Sequence, residues 1–440
     1  MSGLRFVWKA TALAVAFAVA AATAKTVALQ TSFAIEPQPI TTPAAANSAQ
    51  PQLSVSKRGV LVSWIERTGD LATLKFAERT ATGWTAARTV ASGRDWFVNW
   101  ADVPSVLRLP SGAIIAHWLQ KSAASTYAYD VRLSYSTDDG KTWSPSFTPH
   151  HDGTPTEHGF ASLFPMGEGF GLVWLDGRAM FTPAKPGEGA KGAPAGHDTH
   201  GAGAMSVRFA RFERSARPST QSASVNAGNH FKQVEESVVD AKVCECCPTT
   251  AAVTAEGVIT AFRNRSDEEI RDNYVARLVN GKWSAPAPVF NDHWKIAACP
   301  VNGPSLSASG HAVAMTWFTV KNEQGQAYAA FSQDSGKTFA APIRVDDGGS
   351  LGRVDIEMLP DGSAVATWIE FANQTAQFRA RRIERNGTRS APVTIAGIAG
   401  SRSSGYPRAA VANGEVVFAW TESADGGGLR VRTAASALTR

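Results

Sequence analysis

Hydrophobic and polar positions repeat along the chain as a unit of similar length. Each unit has a short β segment, then a glycine or other turn, then an apolar strand that ends in an aromatic residue, as in PQLSVSKRGVLVSW. The seven units end at Trp64, Trp118, Trp174, Phe262, Trp317, Trp368 and Trp420. The intervals between these ends are 54, 56, 88, 55, 51 and 52 residues, and a Gly/Pro-rich insertion near 183–203 explains the long one.

Each unit continues with a third strand and a weaker fourth strand, as in LATLKFAE after Trp64 and QFRARRI after Trp368. A small four-stranded sheet cannot bury both faces alone and must stack on its neighbours around an axis. The pattern therefore predicts an all-β fold, a β-propeller of four-stranded blades, with seven blades by count and almost no helix. We interpret the repeated aromatic residues as packing between blades rather than as catalytic groups.

The N-terminus has the pattern of a signal peptide over residues 1–24. Arg5 and Lys9 precede an apolar stretch, residues 10–22, that is too short to span a bilayer, and Ala22-Thr23-Ala24 fits a cleavage site. We expect a linker or arm over 25–50, in which residues 33–35 could add one strand, and a single propeller over 51–440. The mature protein is expected in the periplasm or secreted, with no membrane contact after signal cleavage. An uncleaved anchor is the alternative.

Composition and charge exclude several classes of protein. A hydrophobic content of 44% is too high for a disordered chain. The formal charge of +5 falls to +3 without the N-terminal segment, which carries two cations and no acid. No run of Lys and Arg with interleaved aromatic residues remains, so we expect no nucleic-acid partner. We expect a folded monomer without a cofactor.

Two turns between third and fourth strands share the pattern S-x-D-x-G-x-T followed by an aromatic residue. They are STDDGKTW at 136–143 and SQDSGKTF at 332–339. Asp and Ser side chains can hydrogen-bond the turn backbone, and Gly supplies the dihedral angle that other residues avoid. The pattern resembles the Asp-box, or BNR repeat, of sialidase-like propellers, in which these turns lie opposite the active site. The resemblance implies an exported exo-sialidase-like protein, and it leaves six blades, the number in sialidases, as the alternative.

Polar candidates concentrate on one face of the predicted propeller. The innermost strands begin at this face, the loops from second to third strands open on it, and ligand sites form where the two sets converge. The candidates at the starts of inner strands are Glu157, Arg353, Tyr406 and Arg408, and those in the loops are Asp176, Arg178, Arg265 and Asp267. A ring of carboxylates and guanidinium groups suits a carbohydrate or another anionic small ligand. The alternative is a set of solvated salt bridges in polar loops.

The resemblance to sialidases implies a role for each of these residues. Tyr406 would be the nucleophile and Glu157 its base, with Asp176 and Asp267 as candidates for the acid/base aspartate. The arginines that would clamp a substrate carboxylate are Arg178, Arg265 and Arg353, and Arg408 is a further substrate-binding candidate. Sialidases carry the first clamp arginine in an Arg-Ile-Pro type motif, where this chain has only Trp64-Ile65-Glu66-Arg67.

Four cysteines lie where the chain enters the fourth and fifth blades. They are Cys244, Cys246, Cys247 and Cys299. Because export favours disulfides, we predict that Cys299 is bonded to one member of the 244–247 cluster. The alternative is a redox site or a soft-metal site, in which four thiolates with His293 or His158 nearby would suit copper or zinc.

Three functions remain open from the sequence. The first is an exported exo-glycosidase that hydrolyses terminal, anionic sugars. The second is a propeller that binds a glycan or a protein without catalysis. The third is a periplasmic protein that uses the cysteine cluster for metal or redox chemistry.

Overall fold

The computed structural model describes residues 34–182, 203–215, 230–423 and 427–438. The predicted signal peptide (1–24) and all but the last residue of the predicted insertion (183–203) lie outside the described residues. Among the described residues, no helix has the length and apolar character needed to cross a membrane.

The described residues form twenty-eight strands and two short 3-10 helices, Arg178–Met180 and Arg402–Ser404. The first half of the strands are β1 (Gln38–Ile40), β2 (Ser48–Ser56), β3 (Gly59–Thr68), β4 (Leu71–Glu78), β5 (Arg88–Gly93), β6 (Ser105–Arg108), β7 (Ile114–Lys121), β8 (Tyr129–Ser136), β9 (His158–Met166), β10 (Gly169–Asp176), β11 (Ser206–Arg214), β12 (Phe231–Asp240), β13 (Thr250–Thr254) and β14 (Gly257–Arg263). The second half are β15 (Asn273–Val279), β16 (Lys282–Trp283), β17 (Ala287–Pro288), β18 (Ser305–Ser309), β19 (Ala312–Lys321), β20 (Gln324–Ser332), β21 (Ile343–Arg344), β22 (Ser350–Met358), β23 (Ala364–Ala372), β24 (Thr375–Ile383), β25 (Val393–Ile398), β26 (Arg408–Ala412), β27 (Glu415–Ser423) and β28 (Leu429–Ala437).

These strands form seven antiparallel sheets, which are the blades of a β-propeller. Blades 1 to 6 are β2–β5, β6–β8, β9–β12, β13–β17, β18–β21 and β22–β25, and blade 7 has the order β1-β28-β27-β26. In blade 2 a single bridge between Leu133 and Phe147 stands in place of a regular fourth strand. The structure thus confirms the all-β propeller and the count of seven blades rather than six.

Blade 7 contains the first and last described strands. In it β1 pairs with β28, and Gln38 lies opposite Ala435. The predicted arm at 25–50 therefore contributes two segments to the propeller, β1 and the first residues of β2. The sequence allowed one added strand at 33–35, whereas the structure has it at 38–40, because so short a strand shows no hydrophobic pattern that would fix its position.

The repeated aromatic residues lie at buried positions in their blades, as predicted. Trp64, Trp174, Trp317 and Trp368 are at most 1% exposed. Three of these indoles donate to an acid two residues later: Trp64 to Glu66 at 2.8 Å, Trp174 to Asp176 at 2.9 Å and Trp368 to Glu370 at 2.8 Å. A buried indole N–H needs an acceptor, and these carboxylates supply it.

The two S-x-D-x-G-x-T turns are held by their own side chains. In the first, Ser136 Oγ accepts from the amide of Gly140 and donates to Asp138, both at 2.8 Å. Asp138 accepts from the amide and the hydroxyl of Thr142 at 2.9 and 2.7 Å. Gly140 has φ +80°, and a Cβ there would lie 2.6 Å from the ring of Phe76. The second turn repeats these bonds with Ser332, Asp334 and Thr338.

A central channel runs along the axis and is lined by the innermost strand of every blade: β2, β6, β9, β13, β18, β22 and β26. These seven strands begin at the same face, which we call the mouth. The third strand of each blade runs parallel to the first, so the loop that leads into it also opens at the mouth. The residues that start these strands are therefore the ones a ligand at the mouth can contact.

Candidate functional site

Three polar side chains form a hydrogen-bonded group at the mouth. Tyr129 Oη, at the start of β8, lies 2.9 Å from Asp102 Oδ2 and 2.7 Å from Glu157 Oε1. Asp102 and Glu157 precede the innermost strands of blades 2 and 3. Tyr129 and Asp102 are fully buried, whereas Glu157 keeps part of its surface exposed. Phe97 stacks on the Tyr129 ring at 4.0 Å and seals the group from one side.

The geometry of this group requires a shared proton. Tyr129 has one O–H and can donate to only one carboxyl group, so the other contact needs a protonated carboxyl that donates to Tyr129 Oη. Burial raises the pKa of Glu157 to about 8 and that of Asp102 to about 7. Asp102 also accepts the amide of Phe160 at 2.8 Å, which favours its ionised form. Asp102 is therefore the more readily ionised of the two groups, and Glu157 is the better holder of the shared proton.

An aromatic and cationic surface adjoins Glu157. Trp100 stacks on Tyr406 with 6.0 Å between ring centroids, and Arg353 and Arg402 lie over the Trp100 ring at 4.8 and 5.8 Å. Burial raises the pKa of Tyr127, and the charges of Glu157 and Arg402 both act on this phenol. Trp100 and Tyr127 are half-buried and Arg402 is exposed. These residues and Glu157 form one wall of the mouth.

The structure corrects the predicted pairing of Tyr406 with Glu157. Tyr406 is buried and donates its hydroxyl to the carbonyl of Val301 at 2.7 Å. Burial raises its pKa. A phenol held by a backbone carbonyl has no base to take its proton, and the tyrosine that contacts Glu157 is Tyr129.

The two predicted acid/base aspartates lie in different surroundings. Asp176 is fully buried and accepts from Trp174 and from Arg178, so its role in this structure is that of an acceptor within blade 3. Asp267 pairs with Lys242, and its side chain is 88% exposed. Neither contacts Glu157 or Tyr129 in the described part of the chain.

The predicted clamp arginines are each held by separate protein groups. Arg178 contacts Asp176 at 2.7 Å, Glu236 at 3.0 Å and Asp152 at 3.3 Å. Arg265 pairs with Glu269 and Glu245. No contact joins Arg178, Arg265 and Arg353 among the described residues, so the structure does not form the predicted clamp.

The other two arginines are likewise engaged by the protein. Arg353 donates to Ser404 Oγ at 2.6 Å and to the carbonyls of Ser401 and Gly405. Arg408 lines the channel, 4.0 Å from Asp355. Arg353 lies over the Trp100 ring and Arg408 over the Tyr406 ring, and the Nη1 group of Arg353 already has three protein acceptors.

A buried cluster of histidines and acids lies beside this site. The rings of His150 and His158 stack with centroids 3.9 Å apart. Burial opposes the charged form of His158, but Asp130 and Asp152, 3.4 and 3.3 Å from its ring nitrogens, raise its pKa to about 9. Burial and the charge of His158 lower the pKa of His150 to about 4. The stack therefore holds one imidazolium and one neutral ring.

The four cysteines form one cluster at the mouth. Cys244 Sγ lies 3.5 Å from Cys247 Sγ and 4.0 Å from Cys246 Sγ, and Cys299 contacts Cys246. All four are free thiols in this structure, since a disulfide needs an S–S distance of about 2.05 Å. The predicted bond from Cys299 to the cluster stays a prediction, and the shared location of the four residues agrees with the sequence.

Sequence reasoning missed Tyr127, Tyr129 and Arg402. Tyr127 belongs to the loop between β7 and β8 and Tyr129 is the first residue of β8; this loop opens at the mouth by the same rule that selected the other loops. This loop carries no acid or arginine between Trp118 and Tyr129, so a search for charges passed over it. Arg402 lies four residues before Tyr406, ahead of the last inner strand, where the same rule could have found it.

No protein-family model matches the chain, and no curated protein matches it. Among solved structures, a protein of unknown function from Dyadobacter fermentans is 15% identical, with a TM-score of 0.46 over 92% of this chain and 98% of that chain. The polysaccharide lyase Uly1 is 11% identical, with a TM-score of 0.48 over 93% and 94%. The endosialidase of phage phi92 is 10% identical, with a TM-score of 0.49 over 93% and 70%.

Proposed function

We propose that this protein is a carbohydrate-active propeller that binds an anionic sugar at its mouth and uses Glu157 as a general acid in cleaving a glycosidic bond. The observation that carries the proposal is the contact of Tyr129 with both Glu157 and Asp102. This group places Glu157 beside a second buried carboxyl group, and burial together with the charge of Asp102 raises the pKa of the half-buried Glu157 to about 8. A glycosidic oxygen needs a proton as its bond to the sugar breaks, and a carboxyl group of raised pKa supplies it.

The neighbouring carboxyl group of Asp102 explains why Glu157 holds its proton until it is used. When Glu157 is ionised, the carboxylates of Glu157 and Asp102 compete for the single hydroxyl hydrogen of Tyr129. Both lie within hydrogen-bond distance of the same Tyr129 oxygen, at 2.7 and 2.9 Å. Two negative charges at that separation in a buried site repel each other strongly. The ionised state is therefore reached when the leaving group takes the proton, and water can then restore it.

The Trp100 wall supplies the binding surface. The exposed guanidinium of Arg402, beside the half-buried Trp100 ring, suits a sugar carboxylate. Arg402 takes the place that the sequence assigned to Arg178 and Arg265. The substrate class that fits is a terminal sugar with a carboxylate, such as a sialic or uronic acid.

A second function, binding without cleavage, is favoured by one observation. Tyr129 and Asp102 are fully buried, so among the three hydrogen-bonded groups only Glu157 can contact a sugar. Glycosidic hydrolysis usually uses two carboxyl groups that both reach the scissile bond. A glycan-binding propeller needs only the Trp100 and Arg402 surface.

The test is a screen of the purified protein against fluorogenic glycosides of sialic acid, glucuronic acid and neutral sugars. We expect release of the fluorophore from an acidic glycoside, and loss of that activity in Glu157→Gln. The matched control is Glu168→Gln, which changes an exposed turn glutamate between β9 and β10. Binding of the sugar by both wild type and Glu157→Gln, with no cleavage by either, would support the binding function and reject the catalytic one.

Export remains part of the proposal. We expect the mature chain to begin after Ala24 and to be found in the periplasm or the medium. Mass spectrometry of the N-terminal peptide from fractionated cells checks this, and recovery of the uncleaved peptide from cytoplasm would contradict it.

A further inference from the structure

The four clustered cysteines take no part in the proposed carbohydrate site, and their arrangement points to a separate function. The side chains of Cys244, Cys246 and Cys247 are at most 5% exposed. Their three Sγ atoms all lie within 4.8 Å of one another. Cys299, on the segment that enters blade 5, contacts Cys246 and is half-buried. Three buried sulfurs and a fourth at the rim thus converge from two chain segments.

The sulfur spacing matches a tetrahedral metal site. Metal–sulfur bonds of about 2.3 Å at tetrahedral angles place neighbouring sulfurs about 3.8 Å apart. The two distances from Cys244 Sγ, 3.5 and 4.0 Å, bracket this value. They are far longer than a disulfide bond, so the backbone holds the sulfurs at ligand spacing without bonding them to one another.

The surroundings favour negative charge on one of the sulfurs, Cys244 Sγ. Arg271 Nη1 lies 3.1 Å from Cys244 Sγ and 2.9 Å from Glu245 Oε2, and the Arg271 side chain is 4% exposed. Arg271 also pairs with Glu269. A buried guanidinium that is held by two acids and directed at a sulfur is an outer-sphere partner of the kind that supports thiolate ligands.

We propose that Cys244, Cys246 and Cys247 bind one soft metal ion, Zn²⁺ or Cu⁺, with Cys299 as the fourth ligand of Zn²⁺. Each metal–sulfur bond replaces an S–H bond, so binding releases one proton for each thiol that becomes a ligand. With Cys299 as a ligand, the zinc ion links the segment that enters blade 4 to the segment that enters blade 5. The two metals differ in their need for Cys299, because Zn²⁺ takes four ligands in structural sites whereas Cu⁺ is satisfied by the three buried thiolates.

The experiment uses the full mature protein, purified anaerobically with reductant and stripped of metal by chelation. It is titrated with Zn²⁺ or Cu⁺ against a competing chelator, and bound metal is counted by elemental mass spectrometry. We expect one ion per chain, with the four cysteines protected from alkylation by Zn²⁺ or the three buried ones by Cu⁺. Cys246→Ser should lose stoichiometric binding of both metals, and Cys299→Ser should lose tight binding of Zn²⁺ only.

His150→Asn is the matched control, because His150 belongs to the other buried group of possible metal ligands. It should bind either metal as the wild type does. Metal uptake that survives Cys246→Ser and disappears in His150→Asn would place the ion in the histidine cluster and overturn the proposal. So would a disulfide in the isolated protein together with no metal uptake after reduction. If Cys246→Ser does not fold, protection of the wild-type cysteines from alkylation decides the question. The glycoside screen is independent of these results.

Discussion

Trp174 donates its indole N–H to Asp176, two residues later, across 2.9 Å in the interior of blade 3. The same relationship joins Trp64 to Glu66 and Trp368 to Glu370. The acids that follow repeated tryptophans therefore stabilise blades, although their sequence position on mouth loops marks them as site candidates. Asp176 serves the fold in this way while also holding Arg178.

Asp176→Ala should lower the free energy of unfolding by about 3 kcal/mol, because it leaves the buried Trp174 indole without its acceptor and removes one of the three acids that hold Arg178. Chemical denaturation followed by tryptophan fluorescence measures this. Asp267→Ala, at an exposed position of the same predicted class, should leave stability unchanged. Equal effects of the two substitutions would contradict the structural role of Asp176.

Trp317→Ala should cost about 3–5 kcal/mol of stability through lost burial and the cavity that remains. Trp317 is 1% exposed and packs between blades 4 and 5 with Ile259 and Leu306. Phe371→Ala is the control, since this aromatic residue is 55% exposed. Thermal and denaturant unfolding of both variants check the difference, and a Trp317→Ala protein as stable as the control would refute the packing role.

The raised pKa of Glu157 predicts a dependence of stability on pH. Between the unfolded-state pKa of about 4.3 and the folded value of about 8, the folded protein binds the proton that the unfolded chain releases. Glu157 therefore costs stability progressively as pH rises through this window. Glutamine at position 157 mimics the protonated form. The free energy of unfolding of Glu157→Gln relative to wild type should therefore increase by at least about 1 kcal/mol between pH 5 and pH 9.

Denaturant unfolding at a series of pH values measures that gain. Glu168→Gln should run parallel to wild type throughout, because Glu168 lies in an exposed turn. A constant difference between Glu157→Gln and wild type across the pH range would show that Glu157 titrates as an ordinary glutamate.

Arg402→Ala should weaken binding of an acidic sugar by about 1.5–3 kcal/mol, the contribution expected for hydrogen bonds to a charged group. Isothermal calorimetry with the sugar identified by the glycoside screen measures it. Lys141→Ala changes a cation in a turn on the opposite face and should leave the affinity unchanged. Similar losses in the two variants would mean that the ligand does not bind at the mouth.

The architecture could be predicted because the same sequence pattern recurs in all seven blades. Seven aromatic positions such as Trp64 and Trp317, at similar spacing, carry the same packing information, and the structure confirms their burial. For the site, the sequence could predict only the face of the propeller on which it lies. Chain topology places Glu157 and Tyr406 on the same face, but it does not determine which side chains contact each other.

The choice of partners depends on contacts that no spacing records. Tyr406 donates to the carbonyl of Val301, and Glu157 is hydrogen-bonded to Tyr129 of the neighbouring blade. A charged loop residue such as Arg265 also has too many acids nearby for its partner to be read from sequence. The cysteines were located correctly as one group because two neighbouring blades begin there.

The pairing of Gln38 with Ala435 has a consequence for how the molecule is made. Of the described strands, β1 is made first and β28, the strand that β1 joins, is made after the other blades. Until then six blades can form in order, while the seventh leaves unpaired strand edges that other chains could join. Closure of the propeller is therefore a late folding step that joins distant parts of the chain. Truncation before β28 should leave blade 7 incomplete and the propeller open.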